Sequence, residues 1–107
     1  MRIIARRTLR EFVTSLEGHK DQGAVRAALD GWYQEVKRAS WRTSADVKTS
    51  RGRASIVSAE RVVFDIKGGG YRLIAAIDFE KSIVWIKWIG SHKEYDEIDA
   101  RKIGYER

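Results

Sequence analysis

The chain has 107 residues, 43% of them hydrophobic and including four Trp, four Tyr and three Phe, which excludes a disordered tract and predicts one globular domain over residues 1–107. No cysteine is present, which excludes a disulfide framework or thiolate metal site and points to the cytoplasm, and no apolar run approaches the roughly 20 residues of a membrane span. The formal charge of +6 is uneven: residues 1–53 carry twelve basic and six acidic groups, whereas residues 54–107 carry nine of each, so the first half should offer a basic surface to a polyanion.

Residues 2–6, "RIIAR", are expected to open the fold as a short strand, and their charged surroundings do not read as a signal peptide. Thr8 and Glu11 stand at capping-box spacing. Leu9, Phe12, Val13 and Leu16 recur at helical spacing up to Gly18, which predicts a helix over 8–18. Val25, Ala28, Leu29, Trp32 and Val36 form a second helical stripe, with Asp21 as its expected cap and an end near Arg38. Residues 40–59 are polar. Within them "TSAD" (43–46) marks one turn of helix, and Trp41 is the expected anchor to the core.

The period then changes to two. Val62, Phe64 and Ile66 alternate as a strand, "KGGGY" (67–71) is a glycine turn, and Tyr71, Leu73, Ala75, Ile77 and Phe79 alternate again. "DFEKS" (78–82) turns once more, and residues 83–89 form a nearly all-apolar strand, expected to be central. Helices followed by an antiparallel meander predict an α+β domain, with the helices on one sheet face. On that parity Phe64, Leu73, Ile77, Val84, Ile86 and Trp88 face the helices. Lys67, Arg72, Trp85 and Lys87 are left on an open face. Cations and an exposed aromatic suit a phosphate backbone and a stacked base; the same pattern also describes an ordinary solvated sheet face.

Chemistry is sparse elsewhere. The two histidines, His19 and His92, lie far apart and predict no metal site. "KGGGYRL" lacks the GK[ST] element of a phosphate loop and reads as a hairpin turn. His92, in "GSHKEYD" (90–96), is the one proton-transfer group near the open face, with Tyr95 and Asp96 able to orient or replace it; a polar surface turn is the alternative reading. Cations and one His, with no cofactor, suit RNA cleavage, in which the 2′-hydroxyl is an internal nucleophile. Arg72 would grip the phosphate, Lys67 and Lys87 would stabilise charge, and His92 would move a proton.

"RVVFDIKGGGYRLIAAIDF" (61–79) and "IVWIKWIGSHKEYD" (83–96) resemble the HigB toxins of type II toxin–antitoxin modules, in the RelE-like group. The resemblance extends loosely to "SWRTSADVK" (40–48) and the two helices. It implies a RelE-like fold: two N-terminal helices packed on one face of a mainly antiparallel sheet of three or four strands, joined by the N-terminal strand. It also implies a metal-independent endonuclease acting on mRNA at the ribosome. The expected partner is a cognate helix-turn-helix antitoxin, HigA-like, whose complex with the toxin represses its own operon. Carried over by motif, the catalytic set is His92, Arg72, Lys87 and Tyr95. Lys67, Tyr71 and Asp96, with Trp85 from the parity argument and Lys93 of the same motif, form the RNA-binding set. Gly69 stands where the family commonly has Asn, so either an RNA contact is lost or Gly substitutes in the turn. The alternative to an enzyme is a non-catalytic basic module that binds RNA or a protein through the same face. An acidic antitoxin segment is expected to offset the +6 charge, either around the basic helices or in the sheet groove.

Overall fold

Residues 1–104 are described by a computed structural model of the chain. The chain enters as strand β1 (Arg2–Ile4) and turns at once into helix α1 (Arg6–Ser15). The helix begins two residues before the expected start. Ala5 is the extended residue at its N-terminus, and the Thr8 amide already donates to the Ala5 carbonyl at 3.1 Å. Thr8 therefore lies inside the helix and the expected capping box does not form; Glu11 pairs with Arg7 at 2.9 Å instead. Helix α2 (Gln22–Arg38) buries Val25, Leu29, Trp32 and Val36, one residue per turn, as the stripe requires. Asp21 stands at the expected N-cap position, but its side chain makes no capping bond there.

"TSAD" opens a full helix, α3 (Ser44–Ser50), with the Thr43 hydroxyl accepting from the Asp46 amide at 3.3 Å. Trp41 is buried as expected, stacked on Phe64 with ring centroids 6.1 Å apart. A two-residue strand, β2 (Ser55–Ile56), lies in the segment read as polar; two residues are too few to show alternation. Strands β3 (Arg61–Ile66), β4 (Tyr71–Asp78) and β5 (Ile83–Ser91) form the meander, and β1 pairs in parallel with β5. The result is one mixed five-stranded sheet, β1-β5-β4-β3-β2, compatible with a RelE-like α+β fold. Leu9 and Val13 of α1, the α2 stripe, and Phe64, Leu73, Ile77 and Val84 of the sheet share one core cluster.

Two features overturn the simple parity reading. In the β4–β5 pairing Ala75 lies opposite Ile86, but Ile74 lies opposite Trp88, so Lys87 is an extra residue in a bulge. An inserted residue flips the faces beyond it. Trp88, expected on the helix side, turns to the other face, while Ile89 packs against the core in its place. Nor is the second face open along its length. Val63, Ile74 and Ala76 are buried there, because apolar residues occupy both faces of these strands. The fully buried Arg61 donates to the carbonyls of Ala100 and Ile103 at 3.1 and 2.5 Å, drawing the C-terminal turns onto the sheet. Gly104 passes beside Lys87, where a Cβ would lie 3.1 Å from the Lys87 carbonyl oxygen.

Candidate functional site

One accessible part of the sheet is the end where β3 turns into β4. Lys67, Gly68 and Gly69 have φ of +53°, +63° and +96°, a left-handed run that two glycines make inexpensive. The turn aims the Gly69 carbonyl at Arg72, whose Nη1 donates to it. Hairpin register sets Asp65 opposite Arg72, and its Oδ1 lies 3.3 Å from the Arg72 Nε. The Tyr95 ring completes the setting, 5.8 Å from the guanidinium carbon. Arg72 is thus a pre-oriented fork rather than a freely rotating cation, as planar recognition of a phosphate needs.

Tyr95 comes from helix α4 (His92–Tyr95) at the end of β5. The sequence "SHKE" makes a full capping box: the Ser91 hydroxyl accepts from the Glu94 amide at 3.1 Å, and the Glu94 carboxylate accepts from the Ser91 amide at 2.8 Å. The His92 amide donates to the Gly70 carbonyl at 2.9 Å, tying the start of α4 to the glycine turn. His92, Tyr95 and Asp96 therefore share one helical face, of which Tyr95 meets Arg72. His92 Nε2 stands 3.9 Å from Asp96 Oδ2, an ion-pair distance too long for a hydrogen bond, and both side chains are more than half exposed. Lys93 is exposed on the same turn. Trp88, brought to this face by the bulge, lies 6.3 Å from the Tyr95 ring and over Gly90; a Cβ at Gly90 would meet it at 2.5 Å.

Lys67 departs from the parity expectation. It leaves the strand in its left-handed turn, and its ammonium reaches the helix side, 3.5 Å from Asp21 Oδ1. The other Asp21 oxygen accepts from the Tyr71 hydroxyl at 3.0 Å. Tyr71 is buried, with its ring edge-on to Phe12 at 5.9 Å. The Tyr71 hydrogen bond, seconded by Lys67, holds the Asp21 carboxyl below its ordinary range, against a smaller opposing effect of burial. Burial first, then Asp21, pushes the Tyr71 phenol above its ordinary range. His19 joins this cluster, accepting from the Asp21 amide at 3.0 Å.

The structure thus sets Tyr95 against Arg72, ties the His92 backbone to the glycine turn and places Asp96 beside His92, with Lys67 and Tyr71 joined through Asp21 at the same turn. It does not bring Trp85 to them. Trp85 is exposed five residues down β5 from Gly90, the partner of Arg72, or about 16 Å along the strand. Lys87 lies between, its ammonium 5.9 Å from the Trp85 ring. Three contributors were missed from sequence. Asp65 was readable, since hairpin symmetry about the glycine turn places it opposite Arg72. Trp88 was hidden by the bulge, and Asp21 by its 50-residue separation from Tyr71.

The model of the HigB_toxin family, described as the RelE-like toxic component of a toxin–antitoxin system, matches residues 25–98. No curated protein matches the chain.

Proposed function

Because this chain belongs to the HigB family of RelE-like toxins, we propose that it is an endonuclease that cleaves mRNA on the ribosome, with the Arg72–Tyr95–His92 end of the sheet as its active site. Family membership itself makes it the toxic component of a toxin–antitoxin system and implies an antitoxin partner. The observation that carries the catalytic reading is the fixed Arg72 fork, held by Asp65 and the Gly69 carbonyl against the Tyr95 ring, with the exposed His92 on the same short helix as Tyr95.

In the proposed reaction the ribose 2′-oxygen attacks the adjacent phosphorus as its proton passes to a base. The bond from phosphorus to the 5′-oxygen breaks, and that oxygen takes up a proton. A 2′,3′-cyclic phosphate and a 5′-hydroxyl remain. Arg72 holds the non-bridging oxygens and stabilises the charge that builds there. His92 is the exposed imidazole that moves a proton, with Asp96 and the Tyr95 phenol as its supports. Lys67, steadied by Asp21 and Tyr71, adds positive potential behind the turn. Lys93 binds backbone beyond α4, while Lys87 and Trp85 serve a more distant nucleotide, by charge and by stacking. The family resemblance supports a metal-independent route, a helix-turn-helix antitoxin whose complex represses its own operon, a cytoplasmic site of action and one domain over residues 1–107. No helix among the described residues is long and apolar enough to cross a membrane.

The test is induction of the wild type, Arg72→Ala and His92→Ala in a bacterial host. Growth arrest with cleavage of translated mRNA is expected for the wild type. Each variant should lower cleavage by about 10²–10⁴-fold, the range of one lost charge-stabilising or proton-transfer group. If the wild type leaves growth and mRNA intact without antitoxin, the reading fails. Arrest without cleavage would mark a binding module instead.

A further inference from the structure

Helices α1 and α2, packed on the sheet face opposite to the one that bears Arg72, leave a furrow of about 300 Å³ between them. Its floor is apolar, formed by Leu9, Val13 and Leu29, whose inner sides belong to the core. Its walls carry Arg6, Arg10 and Arg26 against one carboxylate, Asp30. The Arg6 guanidinium lies over the Tyr33 ring, its central carbon 4.5 Å from the centroid, at the edge of the opening.

The two basic regions of the surface differ in one respect. At the sheet end Lys67 and Arg72 already face Asp21 and Asp65. In the furrow Arg10 and Arg26 are exposed and make no ion pair among the described residues. A carboxylate arriving at the furrow gains new partners; one arriving at the sheet end must displace existing ones. The furrow also lies within the half of the sequence that holds the whole net charge of +6. Its volume admits one large apolar side chain rather than a whole helix, the geometry of an anchor residue in a pocket ringed by charge.

We propose that this furrow is the docking site of the antitoxin, and that it takes an acidic amphipathic segment with one apolar side chain seated on Leu9, Val13 and Leu29 and carboxylates on Arg10 and Arg26. The proposal rests on the antitoxin that family membership implies, not on the endonuclease reading. The partner grips the helices and leaves the Arg72–His92 end uncovered.

The experiment uses the full chain and its co-encoded antitoxin. Binding is measured for the wild type, for Arg10→Glu/Arg26→Glu, and for Lys81→Glu/Lys102→Glu, which makes the same charge change away from the furrow. The furrow variant should bind about 100-fold more weakly, with a reduced salt dependence, and the control within about threefold of the wild type. Hydrogen exchange of the wild-type complex supplies a reading independent of any variant: protection should fall on residues 6–14 and 26–33. Unchanged affinity of the furrow variant would overturn the proposal, as would protection confined to residues 67–72 and 91–96. Neither measurement depends on RNA cleavage, so a chain that binds here but cleaves nothing would refute only the endonuclease reading.

Discussion

Gly90 is the position where a single methyl group should do most damage. A Cβ there would stand 2.5 and 2.6 Å from two carbons of the Trp88 ring and 2.9 Å from the Glu94 carboxylate. Ordinary contacts begin near 3.4 Å, so the ring must withdraw by about 1 Å or α4 must tilt. Overpacking of this kind costs about 1–3 kcal/mol, and loss of the Ser91–Glu94 capping box adds about 1 kcal/mol. Gly90→Ala should therefore lose about 2–4 kcal/mol. At a urea dependence of about 2 kcal/mol per molar, the unfolding midpoint should fall by about 1–2 M, measured by circular dichroism. Trp88→Leu, which withdraws the obstructing ring, should suppress part of that loss. In a double-mutant cycle the two substitutions should couple favourably by about 1 kcal/mol or more. If Gly90→Ala stays within about 0.5 kcal/mol of the wild type, or the two changes are simply additive, the close approach of Trp88 to Gly90 does not govern this corner.

The Asp21 carboxyl is held below its ordinary range, so its stabilising contribution is present above the unfolded carboxylate pKa and is lost as pH falls through the lower folded value. The stability difference between wild type and Asp21→Asn should accordingly shrink in acid, below about pH 4, and an acid titration of unfolding checks this. The Tyr71 phenol is raised, so the opposite sign applies: stability falls as pH rises above the ordinary phenol range, and Tyr71→Phe should blunt that alkaline loss in the same assay. Arg61→Met removes the donors to Ala100 and Ile103 and should cost about 2–4 kcal/mol. Limited proteolysis should then cut within residues 97–104, which the wild type protects. Gly69→Ala has room for its methyl group, 3.5 Å from Arg72, but not an easy φ at +96°. It should cost about 1–2 kcal/mol in thermal unfolding, and Gly69→Asn less, since Asn tolerates left-handed backbone better.

Much of the architecture was legible in the chain because local periodicity reports burial directly. Val25, Leu29, Trp32 and Val36 could only be one face of a helix, and Leu73, Ala75 and Ile77 one face of a strand. The glycine turn was legible for the same local reason, since only glycine enters left-handed backbone freely. Caps were less so: α1 starts before Thr8, next to the β1 pairing, and Asp21, though it stands at the N-terminus of α2 as expected, turns its side chain to Tyr71 and Lys67. The open sheet face was over-read, because alternation of Arg72 and Asp65 with apolar neighbours concealed Val63, Ile74 and Ala76 on the same side.

By itself the sequence determined the α+β order, the core stripes, the glycine hairpin, the basic first half and the HigB resemblance, all properties carried by neighbours in the chain. Tertiary structure alone decided that Trp88 turns outward, that Arg61 draws the C-terminal turns over the sheet, and that Asp21 reaches across 50 residues to Tyr71. The physical reason is the same in each case. One inserted residue reverses a strand's faces, and a carboxylate or guanidinium takes whichever partner the closed fold brings near, neither of which leaves a periodic trace in sequence.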